Sequence, residues 1–459
     1  MNKYNNTICA ISTPAGNGAI AVIRLSGSNA LQICDKIFTP QNKKIKITKA
    51  QPNTIHYGNI IYNNEIIDDV LISVFKAPKS YTGEDSIEIS CHGSVYIQKK
   101  ILEILINEGA NFAKPGEFTQ RAFLNGKLDL SQAEGVADVI ASESEASHRL
   151  AIQQMKGGFS AKLNDLRGLL IHFVSLIELE NDFAEEDVEF ADRTQLNTII
   201  DDVDKHLTEL IQSFKYGNVI KNGVPVAIVG RPNSGKSTLL NTLLNENRAI
   251  VSEIAGTTRD TIEEIVNIEG VQFRFIDTAG LRKTSDEIEK IGVEKAIEKI
   301  DNSTIYIYLF DINLISVNEV ETDLNELNNN INRIVVANKT DLVTENKIQE
   351  FNNSDLDCLF ISAKQNESID LLKETLVKNI NDSITNPNGI VVTNLRHYEA
   401  LVKAQQSIHE TKDGIENEMP TDIIALDIRN AIHNIGEITG EISSNEVLGS
   451  IFSRFCIGK

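Results

Sequence analysis

The segment that most constrains this chain is Gly230-Arg231-Pro232-Asn233-Ser234-Gly235-Lys236-Ser237, which fits G-x-x-x-x-G-K-S. It stands between an apolar, strand-like run, Val224 to Val229, and a helical run, Thr238 to Leu244. A glycine-rich turn at a helix N-terminus lets backbone N–H groups close around phosphate oxygens. Asn233, Ser234, Gly235 and Thr238 would complete that cradle, Lys236 would add charge at the β and γ phosphates, and the Ser237 hydroxyl suits Mg²⁺. Such a loop requires a sheet behind it. Apolar runs at Val271 to Ile276, Thr304 to Phe310, Arg333 to Ala337 and Cys358 to Ile361 alternate with helical patterns, so the spacing predicts a doubly wound α/β module from about Gly223 to Ile380.

The remainder must form separate structure, because 459 residues imply roughly two to four domains. From Ile8 to Leu130 short apolar runs alternate with turn signals. Ala19 to Leu25 reads as a strand and Asn29 to Phe38 as an amphipathic helix, giving a mixed α/β domain. Ser131 and Glu134 are spaced as a capping box, and the period then lengthens. Leu163, Leu166, Leu170, Phe173 and Ile177 mark one helix; Leu196, Ile199, Ile200, Val203, Leu207, Leu210 and Phe214 mark another. After Asn386-Pro387-Asn388-Gly389, helical patterning resumes at Val391 to Lys412 and Asp422 to Ile438. These last helices cannot bury their apolar faces alone, so they are expected to join the helices before Gly223, with the α/β module inserted between.

Composition narrows the function classes. The net charge of -21 argues against a chain-wide binder driven by phosphate neutralisation. No apolar run approaches the ~20 residues that cross a bilayer, so no membrane association is expected. Cys9, Cys34, Cys91, Cys358 and Cys456 are scattered and odd in number, which fits a reduced, cytoplasmic setting and neither a disulfide framework nor a zinc site. Any metal should bind through oxygens.

Asn338-Lys339-Thr340-Asp341 follows a strand and resembles the N-K-x-D element of the GTPase superfamily. A carboxylate at Asp341 can accept from both guanine N1–H and N2–H₂; adenine would leave it unpaired, so GTP is selected. The Lys339 stem can cover the base, and Ser362-Ala363-Lys364 would meet O6 through its backbone. Asp277-Thr278-Ala279-Gly280 ends a strand as the D-x-x-G element does, with Asp277 toward Mg²⁺ and the Gly280 amide toward the γ-phosphate. The first switch falls at Ser252-Glu253-Ile254-Ala255-Gly256-Thr257-Thr258-Arg259-Asp260, where one threonine would complete the Mg²⁺ shell.

Ras-type GTPases place a water-orienting glutamine just after D-x-x-G; here that residue is Leu281. Other groups must then supply charge and water positioning. One candidate is a monovalent cation: Asn233 offers a side-chain carbonyl and the first switch backbone oxygens, a cage suited to K⁺, although Asn233 reads equally as a turn residue. Asp286, Glu287 and Glu289 are each placed to act through a bridging water, and spacing does not choose among them.

Together with Ile23-Arg24-Leu25-Ser26-Gly27, Tyr81-Thr82-Gly83-Glu84-Asp85, Cys91-His92-Gly93, Pro115-Gly116-Glu117-Phe118-Thr119, the run Arg121 to Leu130 and the terminal Cys456-Ile457-Gly458-Lys459, these motifs make the chain resemble the tRNA modification GTPase MnmE (TrmE) family along its whole length. The resemblance implies a homodimer built through tetrahydrofolate-binding-like N-terminal domains (1–120), a helical domain in two parts (121–215 and 381–459) and an inserted Ras-like GTPase domain (216–380). It implies K⁺ ligands at Asn233, Ser252, Ile254 and Thr257, Mg²⁺ ligands at Ser237 and Thr258, and Glu289 as the water-orienting acid. Folate contacts, to 5-formyl- or 5,10-methylene-tetrahydrofolate, would be Arg24, Glu88 and Lys127, with Lys459 reaching the same pocket; on the residues alone, Arg24 and Glu88 read equally as a surface ion pair. It further implies a catalytic part for Cys456, a flavin-binding MnmG-type partner, and installation of a carboxymethylaminomethyl or aminomethyl group on the wobble uridine of tRNA. A regulatory GTPase of ribosome or RNA assembly, with no modification chemistry, is the alternative expectation.

Overall fold

The structure is a computed structural model that describes residues 6–42, 45–182, 193–246, 263–276, 297–327, 331–381, 390–442 and 445–458. It divides into two compact units, one of Met1–Ile140, Ile152–Ile200 and Gln406–Lys459, the other of Ala141–Ala151 and Asp201–Gln405.

The first unit carries seven strands: β1 (Ile8–Ile11), β2 (Ile20–Ser26), β3 (Phe38–Pro40), β4 (Thr54–Tyr62), β5 (Glu65–Phe75), β6 (Ser86–His92) and β7 (Asn111–Phe112). They form one sheet in the order β3-β4-β5-β6-β2-β1-β7, antiparallel except for the β1–β7 pair. Alternation explains the strands. In β2 and β6, Ile23, Leu25, Ile87 and Ile89 point into a core shared with Ile33, Cys34 and Ile37 of helix Ala30–Ile37 and Ile101 and Leu105 of helix Val95–Asn107. Residues between them, Arg24 and Glu88, are left on the opposite face and stand directly across from one another.

The capping box expected at Ser131 and Glu134 belongs instead to Asp129 and Gln132. Asp129 Oδ1 accepts the Gln132 N–H at 2.8 Å, and Gln132 Oε1 accepts the Asp129 N–H at 3.0 Å. Ser131 lies inside the first turn of helix Leu130–Ala141, and its buried hydroxyl has no hydrogen-bond partner among the described residues, so it caps nothing. The expected long helices are present as Gly158–Asp182 and Arg193–Asn222, and each pairs with a helix from beyond the α/β module. Helix Thr421–Thr439 packs along Gly158–Asp182. Helix Leu395–Glu416 meets Arg193–Asn222 through stacked Phe214 and Tyr398, centroids 4.5 Å apart, and through Gln405, which donates to Asp204 at 2.8 Å.

The second unit holds the doubly wound sheet, ordered β13-β12-β11-β8-β10-β9. Its strands are β8 (Val224–Val229), β9 (Glu264–Ile268), β10 (Val271–Phe275), β11 (Ile305–Asp311), β12 (Asn332–Asn338) and β13 (Cys358–Phe360). All neighbours run parallel except β9 and β10. β9 escapes the sequence pattern because its exposed side chains break the apolar run; only Val266 and Ile268 are buried. The β9–β10 turn, Glu269-Gly270, has φ of 49° and 80°, the two left-handed positions of a tight hairpin. Its Gly270 carbonyl accepts the Ala146 N–H at 3.1 Å, in the first turn of helix Glu145–Met155, and Gln272 donates to Glu143 at 2.9 Å. Among the described residues no helix is long and apolar enough to cross a membrane.

Candidate functional site

The phosphate loop joins β8 to helix Lys236–Glu246, and two of its positions admit only glycine. At Gly230 (φ 146°) a Cβ would lie 2.0 Å from the Leu309 carbonyl oxygen; at Gly235 (φ 100°) it would lie 2.2 Å from Asn338 Nδ2. Asn233 turns the loop with a φ of 61°, as the loop-conformation reading of this residue expects, and the residue is exposed. Lys236 bends back over the loop and donates to the carbonyls of Gly230 at 2.7 Å and Arg231 at 2.9 Å. Burial, reinforced by the nearby charge of Lys299, pulls its ammonium pKa down to about 8. A phosphate at the loop would supply the negative charge this ammonium lacks.

Three loops at the strand ends are tied together by one side chain. Asn338, buried at the end of β12, donates from Nδ2 to the Ser234 carbonyl at 2.8 Å and accepts from the Ala363 N–H at 3.0 Å. The phosphate loop, the N-K-x-D loop and the Ser362-Ala363-Lys364 loop are thereby held in register. The Ser362 hydroxyl donates to Asp341 Oδ1 at 2.7 Å, which orients the carboxylate assigned to the base, and Thr242 donates to the Ala363 carbonyl at 2.8 Å. The structure thus brings Asn233, Ser234, Gly235, Lys236, Ser237, Thr238, Asn338, Lys339, Asp341, Ser362, Ala363 and Lys364 to one end of the sheet. Ser252 to Thr258, Asp277 to Gly280, Leu281, Asp286, Glu287, Glu289 and Lys459 lie outside the described residues.

Sequence reading missed the groups that hold this end together. Lys339, with a φ of 66°, pairs with Asp311 at the end of β11, Nζ to Oδ2 2.7 Å. Burial works to raise the Asp311 pKa, but the Lys339 ammonium and the Asn313 donors outweigh it and hold the carboxyl below its usual range. Arg231 points to helix Val317–Glu326 and engages Asp323 with two bonds, 2.8 and 2.9 Å, and Glu319 at 3.1 Å. Glu319 also receives the Ser316 N–H and hydroxyl; these, with Arg231, pull its pKa down to about 2. Partners 28 and 92 residues apart carry no local sequence signal.

In the first unit, Arg24 and Glu88 do form the ion pair, 2.8 Å, and the guanidinium also lies 5.2 Å from the Tyr81 ring centroid and 5.6 Å from that of Phe118. Tyr81 Oη and Thr119 Oγ1 are 2.8 Å apart. Lys127 donates to the Pro78 carbonyl at 3.1 Å, on the loop that carries Tyr81. Beneath the loop, buried Arg121 bonds Glu84 and Glu117 at 3.2 and 2.8 Å. Cys456 is exposed; Cys9, Cys34 and Cys91 are buried, and burial pushes the Cys91 thiol up to about 11. Among the described residues no three His, Cys, Asp or Glu side chains group to hold a metal.

Two family models match the chain: one described as the MnmE helical domain over residues 130–456, and one described as the GTP-binding protein TrmE N-terminus over residues 7–127. The tRNA modification GTPase MnmE of Flavobacterium psychrophilum is 51% identical over 461 residues, covering 99% of this chain and 100% of that protein. That of Flavobacterium johnsoniae is 52% identical over 463 residues, covering 99% of each. A crystal structure of Era with MgGDPNP and a fragment of 16S ribosomal RNA covers 40% of this chain and 66% of that one at 28% identity, with a TM-score of 0.26.

Proposed function

The chain belongs to the tRNA modification GTPase MnmE family, a GTP hydrolase by that membership, and on that premise we propose how its residues divide the work. GTP binds at the loop cluster held by Asn338: Ser234, Gly235, Lys236, Ser237 and Thr238 cradle the phosphates, while Asn338, Lys339, Asp341 and Ser362 to Lys364 read guanine. The observation that carries this is the pair of hydrogen bonds by which Asn338 donates to the Ser234 carbonyl and accepts from the Ala363 N–H, joining the phosphate and base loops. Mg²⁺ is held by Ser237 and Thr258, with Asp277 beside it.

Leu281 cannot orient water or offer charge, so K⁺, held by Asn233, Ser252, Ile254 and Thr257, supplies the charge as two GTPase modules meet, and Glu289 orients the water. The exposed position of Asn233 on the phosphate loop supports this reading. The domain division follows the same reading: 1–120 for folate and dimerisation, 121–215 with 381–459 for the helical part, 216–380 for the nucleotide.

The Arg24, Glu88 and Lys127 constellation suits a folate. Glu88 can accept from paired N–H donors of a pterin, and the Tyr81 and Phe118 rings that flank Arg24 offer apolar faces. The folate supplies the one-carbon unit, a flavin-binding MnmG-type partner supplies the redox step, and the product is the modified wobble uridine of certain tRNAs. Cys456 acts in that chemistry. The setting is the cytoplasm, in keeping with five unpaired cysteines.

The test is reconstitution of tRNA modification with and without the flavin protein and 5-formyltetrahydrofolate, alongside GTP turnover in KCl and NaCl. The reading requires modification that depends on all the components and turnover that rises with K⁺. Equal rates in both salts refute the cation; modification without the flavin protein refutes the partnership.

A further inference from the structure

A chain of net charge -21 gathers a run of lysines at one end of its first sheet, where β5 leaves and β6 enters. Three segments meet there. Segment 45–53 carries Lys46 and Lys49 around the helical turn Ile47–Lys49, the β5–β6 loop carries Lys76 and Lys79, and segment 125–129 carries Lys127. Lys76 Nζ donates to the Thr48 carbonyl at 3.3 Å, which ties the first segment to the second, and Lys127 Nζ donates to the Pro78 carbonyl at 3.1 Å, which ties in the third. Asn125 Nδ2 adds a bond to the Thr82 carbonyl at 2.8 Å. Lys46, Lys49, Lys79 and Lys127 are exposed.

The carboxylates of the same segments are engaged elsewhere. Glu84 is buried against Arg121, Asp85 accepts the Ala77 N–H at 2.9 Å, and Asp129 caps the helix that follows it. Asp35, on the helix beside the turn, accepts the N–H groups of Ile47 at 2.5 Å and Thr48 at 3.1 Å. Among the described residues none of the five lysines pairs with a carboxylate. A positive field is thereby left standing on a protein whose overall charge repels polyanions. The strip runs up to the Arg24 constellation: Tyr81, two residues from Lys79, is exposed, and its ring centroid lies 5.2 Å from the Arg24 guanidinium.

We propose that this strip grips an RNA backbone: Lys46, Lys49 and Lys79 contact phosphates of the tRNA arm that holds the target uridine, and so deliver that base toward Arg24 and Tyr81. RNA fits the surface better than an acidic protein does. The core of a protein–protein interface is depleted in lysine, whereas ammonium groups on long flexible stems suit phosphates, whose charge is uniform and whose positions vary. A base that undergoes chemistry must leave its stack, and an exposed phenol ring beside the strip offers it a face. The proposal rests on the one-carbon reading of the Arg24 site for its purpose but not for the binding itself.

The test is the combined Lys46→Gln, Lys49→Gln and Lys79→Gln variant of the full chain, because these exposed side chains make no hydrogen bond among the described residues. Fluorescence anisotropy with a labelled tRNA transcript that carries a wobble uridine, at several KCl concentrations, reads affinity and its salt dependence. The variant is expected to bind at least about tenfold more weakly, with a log–log salt slope shallower by about two to three, since each lost phosphate contact removes about 0.7–0.9. The KM for tRNA in reconstituted modification should rise by a similar factor, with GTP turnover, 5-formyltetrahydrofolate affinity and Tm as in the parent. Lys99→Gln, on helix Val95–Asn107, which begins past the other end of β6, should leave RNA binding within about twofold. A parent that binds no tRNA, or a triple variant with parental affinity and slope, overturns the proposal. So does loss of the flavin-binding partner with RNA binding intact, which would make the strip a protein-docking surface. Should the parent bind no folate while the triple variant still loses tRNA, the RNA surface stands and the folate reading falls.

Discussion

Replacing Asn338 with alanine removes both bonds that hold the phosphate loop at a fixed distance from the base loop. The groups left behind are the Ser234 carbonyl and the Ala363 N–H, in residues 1% and 3% exposed, so water cannot readily take over as partner. An orphaned buried donor or acceptor costs about 1–3 kcal/mol, and the pair together about 2–4 kcal/mol once relaxation is allowed. For a unit of this size that corresponds to a fall of about 5–10 °C in Tm. Each 1.4 kcal/mol is about tenfold in a binding constant, so the loss of loop register should weaken GTP about 30-fold or more. Differential scanning calorimetry and titration with a fluorescent GTP analogue read the two effects in one preparation. Asn338→Asp keeps an acceptor for Ala363 and loses the donor to Ser234, and should fall between. A parental Tm and affinity for Asn338→Ala would refute the view that this side chain sets the site's geometry.

Other outcomes follow from the same geometry. Asp341→Asn should exchange GTP preference for xanthosine triphosphate, read by competition binding, because an amide can offer xanthine a donor that a carboxylate cannot. Gly230→Ala should lower the Tm of the protein and abolish nucleotide binding, since its Cβ would sit 2.0 Å from the Leu309 carbonyl oxygen; calorimetry checks this. Asn233→Ala should leave nucleotide affinity within about twofold and remove the K⁺ dependence of turnover, measured by phosphate release. The Lys236 pKa, lowered from 10.5 to about 8 in the nucleotide-free protein, means the folded state holds fewer protons than the unfolded one between those values. Nucleotide-free stability therefore gains from Lys236 as pH rises through about 8 and levels off above the unfolded value, whereas GTP, which needs the charged form, should take up a proton on binding near about pH 8.5. Calorimetry in two buffers of different ionisation enthalpy detects that uptake, and its absence would refute the assignment.

Whatever repeats locally is legible in the sequence. The phosphate loop, the parallel strands and the two long helices announce themselves through glycine spacing and apolar period, and the strand ends fell within about a residue or two of those found. β9 was hidden because alternating exposed residues made it look like loop. The spacing of Ser131 and Glu134 matches a capping box in letters, but the reciprocal bonds belong to Asp129 and Gln132, a choice that only the hydrogen bonds decide. The ion pair of Arg24 with Glu88 and the clasp of Arg231 by Asp323 and Glu319 depend on register and on chain reversal, which no window of residues contains. Asn233 is ambiguous for a different reason: its positive φ suits a turn residue, and a turn residue can also be a ligand, so the letters do not separate the two.

The hairpin of β9 and β10 completes the opening turn of helix Glu145–Met155 by lending it the Gly270 carbonyl. That helix therefore begins on borrowed backbone. A displacement of the hairpin by an ångström or two would strip an acceptor from Ala146 and loosen Gln272 from Glu143, a loss comparable to removing a helix cap, about 1 kcal/mol. The hairpin turn and the start of a helix far from it in sequence are in this way tied by the same hydrogen bond.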